Sequence, residues 1–196
     1  MLTFAAAVFF LIITPGPGVL SAAGVGAAYG MRSGVRYVLG LFLGNNLVIL
    51  AVLTGLAALV LANPVVRTAL FVLSTAYLLY LAARIAFAGA KLAFAPADTE
   101  PGVINGILLQ PINPKAYAVN TALFSGFALM PDAMVAEAAW KLVIVNAIWV
   151  PIHVAWVWAG VRLKRLNLPP QQQKRINYGM AGSMLLVVAL AILSEL

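Results

Sequence analysis

A lysine lies in a long apolar stretch of the sequence, directly after an asparagine and a proline. We expect Lys115 to be the only charge inside an apolar segment away from its ends. A charged side chain in apolar surroundings is costly, and it therefore marks a candidate functional position. Its ammonium group could bind a carboxylate. Alternatively, it could cap the backbone carbonyls that Pro111 and Pro114 leave without partners.

Six neutral polar side chains form a second group within the apolar segments. They are Asn45, Asn46, Asn113, Asn120, Asn146 and His153. Residues seven apart lie on nearly one face of a helix, which pairs Asn113 with Asn120 and Asn146 with His153. Amides in hydrocarbon need partners, so bonds between helices explain about half of this set. The other half are candidates for substrate binding or gating.

His153 is the only histidine, and it is the one side chain in an apolar segment that could titrate near neutral pH. A proton-coupling role, shared with Asn146, stands beside a structural role between neighbouring aromatic residues.

The sequence does not favour an enzyme. A Ser–His hydrolase would need His153 near Ser21, Ser74 or Ser125, and only a faint nucleophile motif surrounds the last of these. Paired carboxylates and metal ligands are missing from the apolar segments, and the chain has no cysteine. We therefore expect neither a catalytic site nor a cofactor or metal.

The composition predicts the solvent in which these residues must be positioned. Hydrophobic residues make up 64% of 196 residues, charged residues only 9%, and the mean hydropathy is +1.03. A soluble domain carries about 25% charged residues. Four charge-free runs are near or above the roughly 20 residues that a spanning helix needs: Met1–Met31, Tyr37–Val66, Leu142–Val161 and Ile176–Ser194. The chain is predicted to be an all-α polytopic membrane protein in a lipid bilayer.

Six transmembrane helices are predicted, and the apolar N-terminal segment is expected to be a retained span rather than a signal peptide. They cover about 2–24, 38–62, 68–88, 103–127, 139–160 and 177–194.

Basic residues predict the orientation. The first, third and fifth connections hold nine Lys and Arg residues, while the second and fourth hold only Arg67 and Lys141. Positive charge is retained on the cytoplasmic side, so the odd connections should be cytoplasmic and both termini outside. The net charge of +7 is accounted for in this way, and it does not require a nucleic-acid partner.

Two pairs of prolines interrupt matching spans. Pro15 and Pro17 break the first span, and Pro111 and Pro114 break the fourth at a similar depth. An odd number of spans per half inverts the second half, as in inverted-repeat transporters, whose broken helices surround a midplane site. We therefore predict repeats at 1–92 and 103–196, joined by a polar connection at 93–102. Pro15 and Pro17 are expected to shape a hinge.

Glycines spaced four apart occur at Gly26 and Gly30, Gly40 and Gly44, and Gly102 and Gly106. This spacing is typical of close helix contacts, either within the fold or in a homodimer.

Four segments resemble the LysE/RhtB superfamily of bacterial inner-membrane amino-acid exporters. They are TPGPGVL at 14–20, YGMRSGVRYVLGLFLGN at 29–45, TAYLLYLAARI at 75–85 and GILLQPINPKAY at 106–117. The resemblance implies a six-helix secondary transporter that exports amino acids or related small metabolites, driven by a proton or ion gradient. It also implies functional roles for Thr14, Pro15, Gly16 and Pro17, and for Asn113, Pro114 and Lys115.

The sequence departs from the superfamily at Asn45, where many members have an acidic residue after the glycine. No Asp or Glu lies within the predicted spans. We therefore hypothesise a neutral or zwitterionic substrate whose carboxylate meets Lys115 or the N-terminus of a half-helix. A passive channel and a structural membrane partner are the alternatives.

Overall fold

A computed structural model describes residues 1–55, 63–87, 100–166 and 168–193, and these residues form helices and connections without any strand. The predictions for 56–62 of the second span, 88 of the third, 89–92 at the end of the first repeat, 93–99 of the central connection and 194 of the sixth span lie outside the described residues. The helices are α1 Leu2–Ile13, α2 Pro17–Tyr29, α3 Met31–Leu53, α4 Pro64–Phe87, α5 Val103–Leu109, α6 Pro114–Ser125, α7 Met134–Arg165 and α8 Pro170–Leu193.

The all-helical membrane class is confirmed. Among the described residues, α3 and α7 are each long and apolar enough to cross a bilayer, and α1 with α2 qualifies as one bent span. Each predicted span overlaps one helix or one pair of helices.

The first predicted break lies between α1 and α2, whose axes differ by 56°. Helix α1 ends at Ile13, and α2 begins with Pro17 at its first position. Proline is tolerated there because the amide that it lacks has no partner within the helix. Gly30, with φ of 90°, then joins α2 directly to α3.

The second predicted break lies between α5 and α6. Helix α5 ends at Leu109, and α6 again begins with a proline, Pro114. Asn113 caps α6, because its side-chain oxygen accepts a hydrogen bond from the amide of Lys115 at 3.2 Å. Both breaks therefore end in the same way, with a proline that opens the second half-helix.

Three extensive contacts each join a helix from the first half of the chain to a helix from the second. Helix α2 packs against α7, α3 against α5, and α4 against α8. The core around these contacts includes Phe4, Leu20, Leu41, Leu123 and Val145, all of which are fully buried. This packing carries the two breaks to a shared region of the interior.

Glycines allow the first two of these contacts to be close. A Cβ atom at Gly26 would lie 2.5 Å from the carbonyl oxygen of Val157, between α2 and α7. One at Gly106 would lie 2.5 Å from the carbonyl oxygen of Tyr37, between α5 and α3. Close contacts within the fold are thus confirmed at Gly26, Gly40, Gly44 and Gly106, whereas a Cβ atom at Gly30 or Gly102 would meet nothing within 4 Å. A homodimer through GxxxG faces stays a prediction.

Gly160 provides a test of this packing. Its Cβ in a Gly160→Ala variant would overlap the carbonyl oxygen of Ala23, and overpacking of this kind costs about 1–3 kcal/mol. We expect a lower thermal unfolding temperature of the purified protein. Gly182→Ala is the matched control because a Cβ there meets nothing within 4 Å, and equal unfolding temperatures for the two variants would contradict the packing.

Lys141, which is predicted to lie in the fourth connection, is a buried residue of helix α7. Helix α7 begins at Met134, and Lys141, seven residues further along it, is only 2% exposed. Its ammonium group lies 2.6 Å from Oε1 of Glu137, and it donates to the carbonyls of Phe124 at 3.0 Å and Phe127 at 2.5 Å. A full set of partners therefore allows this charge to be buried. The prediction that Lys115 is the only charge inside a span, away from its ends, stays a prediction.

Candidate functional site

A cavity of about 50 Å³ lies between the two breaks, and residues of α3 and α7 complete its lining. A volume of this size holds a few water molecules. Six of the predicted site residues line it: Gly16, Asn45, Asn113, Lys115, Asn120 and His153. The structure therefore brings together residues that are up to 137 positions apart in the sequence (16 to 153).

Lys115 connects the two breaks. Its Nζ donates a hydrogen bond to the carbonyl of Thr14, at the C-terminal end of α1. Lys115 therefore caps a backbone carbonyl at the first break, and not the carbonyls near Pro111 and Pro114 as the capping alternative predicted. The lysine stem passes Gly16, where a Cβ atom would lie 2.8 Å from Cδ of Lys115.

An amide pair forms one wall of the cavity. Nδ2 of Asn120 donates to Oδ1 of Asn45 at 3.0 Å, and both side chains are buried. Nδ2 of Asn45 is different, since it is the one buried side-chain nitrogen or oxygen of the described residues that has no hydrogen-bond partner. An unsatisfied buried donor costs about 1–3 kcal/mol. A ligand in the cavity that accepts this bond would recover that cost.

Gln110 is a lining residue that the sequence interpretation missed. It is 2% exposed, and its Oε1 accepts a hydrogen bond from Nδ2 of Asn113 at 3.1 Å. Its position directly before Pro111 in an apolar run was a signal that could have identified it.

His153 is held in a fixed orientation against the cavity. Its ring stacks on Trp149 with centroids 3.4 Å apart. Nδ1 lies 2.9 Å from the carbonyl of Trp149, and because a carbonyl only accepts, Nδ1 carries the hydrogen. Nε2 of the neutral ring is then an acceptor. It faces Gly18, where a Cβ atom would lie 3.3 Å from it.

The remaining predicted residues do not line the cavity. Asn46 and Asn146 bond to each other through two hydrogen bonds of 2.9 and 3.2 Å, so Asn146 is not paired with His153. The hydroxyl of Thr14 bonds to the carbonyl of Phe10 in its own helix, at 2.7 Å. The prolines Pro15, Pro17 and Pro114 shape the breaks without lining the cavity.

The formal charge that lines the cavity is cationic. Lys115 supplies it, and the N-termini of α2 and α6 border the cavity through Gly18 and Ala116, as do the C-terminal ends of α1 and α5 through Ile12 and Gln110. Helix N-termini present partial positive charge and backbone donors to anions. No aspartate or glutamate of the described residues is among the lining side chains. The arrangement fits a small anionic group such as a carboxylate.

Comparison with known proteins identifies the family of this chain. Residues 9–196 match the LysE type translocator family. An uncharacterized membrane protein of Pseudomonas aeruginosa is 37% identical over 79 residues, which are 40% of this chain and 37% of that protein. A leucine efflux protein of an Enterobacter species is 30% identical over 79 residues, again 40% of this chain and 37% of that protein.

A second leucine efflux protein, from Klebsiella pneumoniae, is 26% identical over 131 residues, or 64% of this chain and 62% of that protein. The chain thus spans less than two thirds of the length of each of these relatives, and no solved structure matches it. The family match, in contrast, covers nearly the whole sequence, and it confirms the resemblance and the expected class of transporter rather than enzyme. The chain belongs to the LysE type translocator family.

Proposed function

We propose that the protein is a secondary transporter of the bacterial inner membrane that exports a neutral, leucine-like amino acid in its zwitterionic form. One observation carries the proposal. A buried amide donor without a partner, Nδ2 of Asn45, belongs to a residue that lines the same cavity as Lys115 and the first turns of α2 and α6.

The transporter has six spans in two inverted three-helix repeats, 1–92 and 103–196, with the odd connections in the cytoplasm and both termini outside. The extensive contacts between opposite halves support this arrangement. Exchanging the halves turns the contacts of the first span (α1 and α2) with α7 into contacts of the fourth span (α5 and α6) with α3, and both sets are present. The reciprocal bonds of Asn46 and Asn146 join α3 to α7 and would lie near the axis that relates the repeats.

The substrate carboxylate binds at the positive end of the cavity. Lys115 Nζ donates to one oxygen and Asn45 Nδ2 to the other, while the first turn of α2 adds backbone donors. No side chain of the described residues caps that turn, so its amides are available to a ligand. Charge-assisted hydrogen bonds of this type are about twice as strong as neutral ones.

The substrate ammonium group lies toward His153. Nε2 of the neutral imidazole accepts a hydrogen bond, and the tautomer is set by the bond from Nδ1 to the carbonyl of Trp149. The same nitrogen is the site for proton coupling, since it could take up a proton when the ammonium group leaves. In this proposal Asn146 holds the two repeats together through Asn46.

The substrate side chain contacts the apolar part of the lining. Leu11, Ile12, Val19 and Val119 provide that surface, and a branched aliphatic side chain gains about 0.8 kcal/mol for each buried CH₂ group. The name leucine efflux protein, carried by two relatives, supports the same size and chemistry.

Transport requires the two breaks to move apart. The cavity holds only a few water molecules, and an amino acid is larger. The contact between Lys115 and the carbonyl of Thr14 joins the halves across the cavity, and a bound carboxylate would compete for the same ammonium group. Binding and opening are therefore linked through Lys115, which is the physical basis for alternating access between the two sides.

Amino-acid concentrations inside and outside bacterial cells test this function directly. Cells that produce the protein should accumulate less intracellular leucine and more extracellular leucine than cells that lack it. Collapse of the proton gradient should reduce this export. A passive channel would instead give a flux that does not respond to the gradient, and unchanged amino-acid pools would contradict the proposal.

Asn45→Asp tests the unpartnered donor. The aspartate keeps an oxygen for Nδ2 of Asn120 but replaces the donor to the substrate by an acceptor. Because a hydrogen bond to a charged group contributes about 1.5–3 kcal/mol, we expect leucine to bind at least about tenfold more weakly. Asn105→Asp, at an exposed position of α5, is the matched control. Equal leucine binding by wild type and Asn45→Asp in a radioligand assay would remove Asn45 from the site.

A further inference from the structure

An apolar groove of about 590 Å³ lies on the outer side of α1 and α7. Exposed Phe9 and Ile13 of α1 form one wall. The floor is formed by four residues of α7 that follow one another at intervals of four: Ala147, Pro151, Ala155 and Ala159. These small side chains leave the depth of the groove empty, and all four are exposed.

The dimensions of the groove suit one acyl chain. From residue 147 to residue 159, twelve residues of helix span about 18 Å. This length is close to half of the roughly 30 Å hydrocarbon core of a bilayer. The groove therefore extends over about one leaflet, and nearly all of its lining is apolar.

The end of the groove is basic. Arg162 follows Ala159 by three residues, which places it next along the same face of α7. It is exposed, and its guanidinium lies 5.2 Å from the ring centroid of Trp158. The region continues with Lys164 and Arg165, and no acidic residue lies between Glu137 and Glu195 in the sequence. An apolar groove that ends at cations is complementary to a lipid with a negative headgroup.

We propose that this groove binds an anionic phospholipid, with one acyl chain along the alanines of α7 and the phosphate at Arg162. The site lies on a different face of α1 from the cavity, since Ile12 lines the cavity and Ile13 lines the groove. The proposal does not depend on the identity of the exported substrate. It makes α1, the first half of the bent first span, a point at which lipid composition affects the protein.

Native mass spectrometry of the purified full-length protein tests this site with phosphatidylglycerol and phosphatidylcholine of identical acyl chains. We expect tight retention of one phosphatidylglycerol and no comparable retention of phosphatidylcholine. Arg162→Gln should weaken phosphatidylglycerol binding about fivefold, the effect of roughly one cation near the membrane surface. Ala155→Trp fills the groove and should abolish the retained lipid.

Two controls separate the groove from the general surface. Arg175→Gln removes a cation from exposed α8, and Val143→Trp adds a large side chain to α7 outside the groove. Both should bind phosphatidylglycerol as the wild type does. A second groove variant, Ala159→Leu, repeats the test should Ala155→Trp not fold. Equal retention of both lipids would overturn the proposal. A dimer mass that is lost in Ala155→Trp would also overturn it, because it would mean that a second copy of the chain fills the groove.

Discussion

Lys115→Met is expected to reduce leucine binding by about tenfold to a hundredfold while the protein remains folded. The variant keeps the length and apolar character of the lysine stem beside Gly16, but it removes the ammonium group that faces the cavity. A hydrogen bond to a charged group is worth about 1.5–3 kcal/mol, which corresponds to this range. Export should fall by at least the same factor.

Two measurements distinguish the possible roles of Lys115. Leucine binding to the purified protein reports on the contact with the carboxylate. The fluorescence of a probe attached near the first break reports on the link from Lys115 to the carbonyl of Thr14. Lys174→Met, at an exposed position of α8, is the control for the loss of one cation. Normal leucine binding with impaired export would assign Lys115 to the movement alone, and normal behaviour in both assays would remove it from the account.

Lys141→Met is expected to act on folding and not on the site. Lys141 is buried and bonds to the carbonyls of Phe124 and Phe127, which lie at the end of α6 and just beyond it. Loss of this charged donor leaves both carbonyls unsatisfied in an apolar region, at a cost of about 3 kcal/mol. We expect a clearly lower thermal unfolding temperature and less protein in the membrane.

A second substitution tests the cause of that destabilisation. Glu137 accepts hydrogen bonds from the amides of Leu129 and Met130 as well as from Lys141, so a carboxylate without its cation is a further source of instability. Glu137→Gln in the Lys141→Met background removes the unpaired charge and should recover part of the loss. The protein that does fold should bind leucine normally. An unfolding temperature equal to that of the wild type for Lys141→Met would contradict a structural role.

The breaks in the fold could be predicted because proline acts locally. Pro17 and Pro114 each lack an amide hydrogen, so each is stable at the first position of a helix and unstable in its interior. The sequence therefore indicated where the first and fourth spans divide, and the structure places α2 and α6 at those prolines. The candidate residues near the breaks, such as Gly16 and Lys115, followed from the same local rule.

The partners of these residues could not be predicted, because they come from distant parts of the chain. Lys115 bonds to a carbonyl 101 residues away, and Asn120 bonds to a side chain 75 residues away. Both Asn45 and Asn46 bond across helices, and composition alone does not show that only Asn45 keeps a side-chain donor without a partner. The burial of Lys141 could not be predicted for a similar reason, since it depends on carbonyls at and just beyond the end of α6 that only the folded chain brings close.

Flux measurements in liposomes that contain only the purified protein test the central claim most directly. With an imposed proton gradient, we compare leucine with lysine and arginine at equal concentrations. The cavity has a cationic end and no acidic side chain among its described lining residues. We therefore predict that leucine is transported faster than either cationic amino acid. Faster transport of lysine or arginine than of leucine would contradict it.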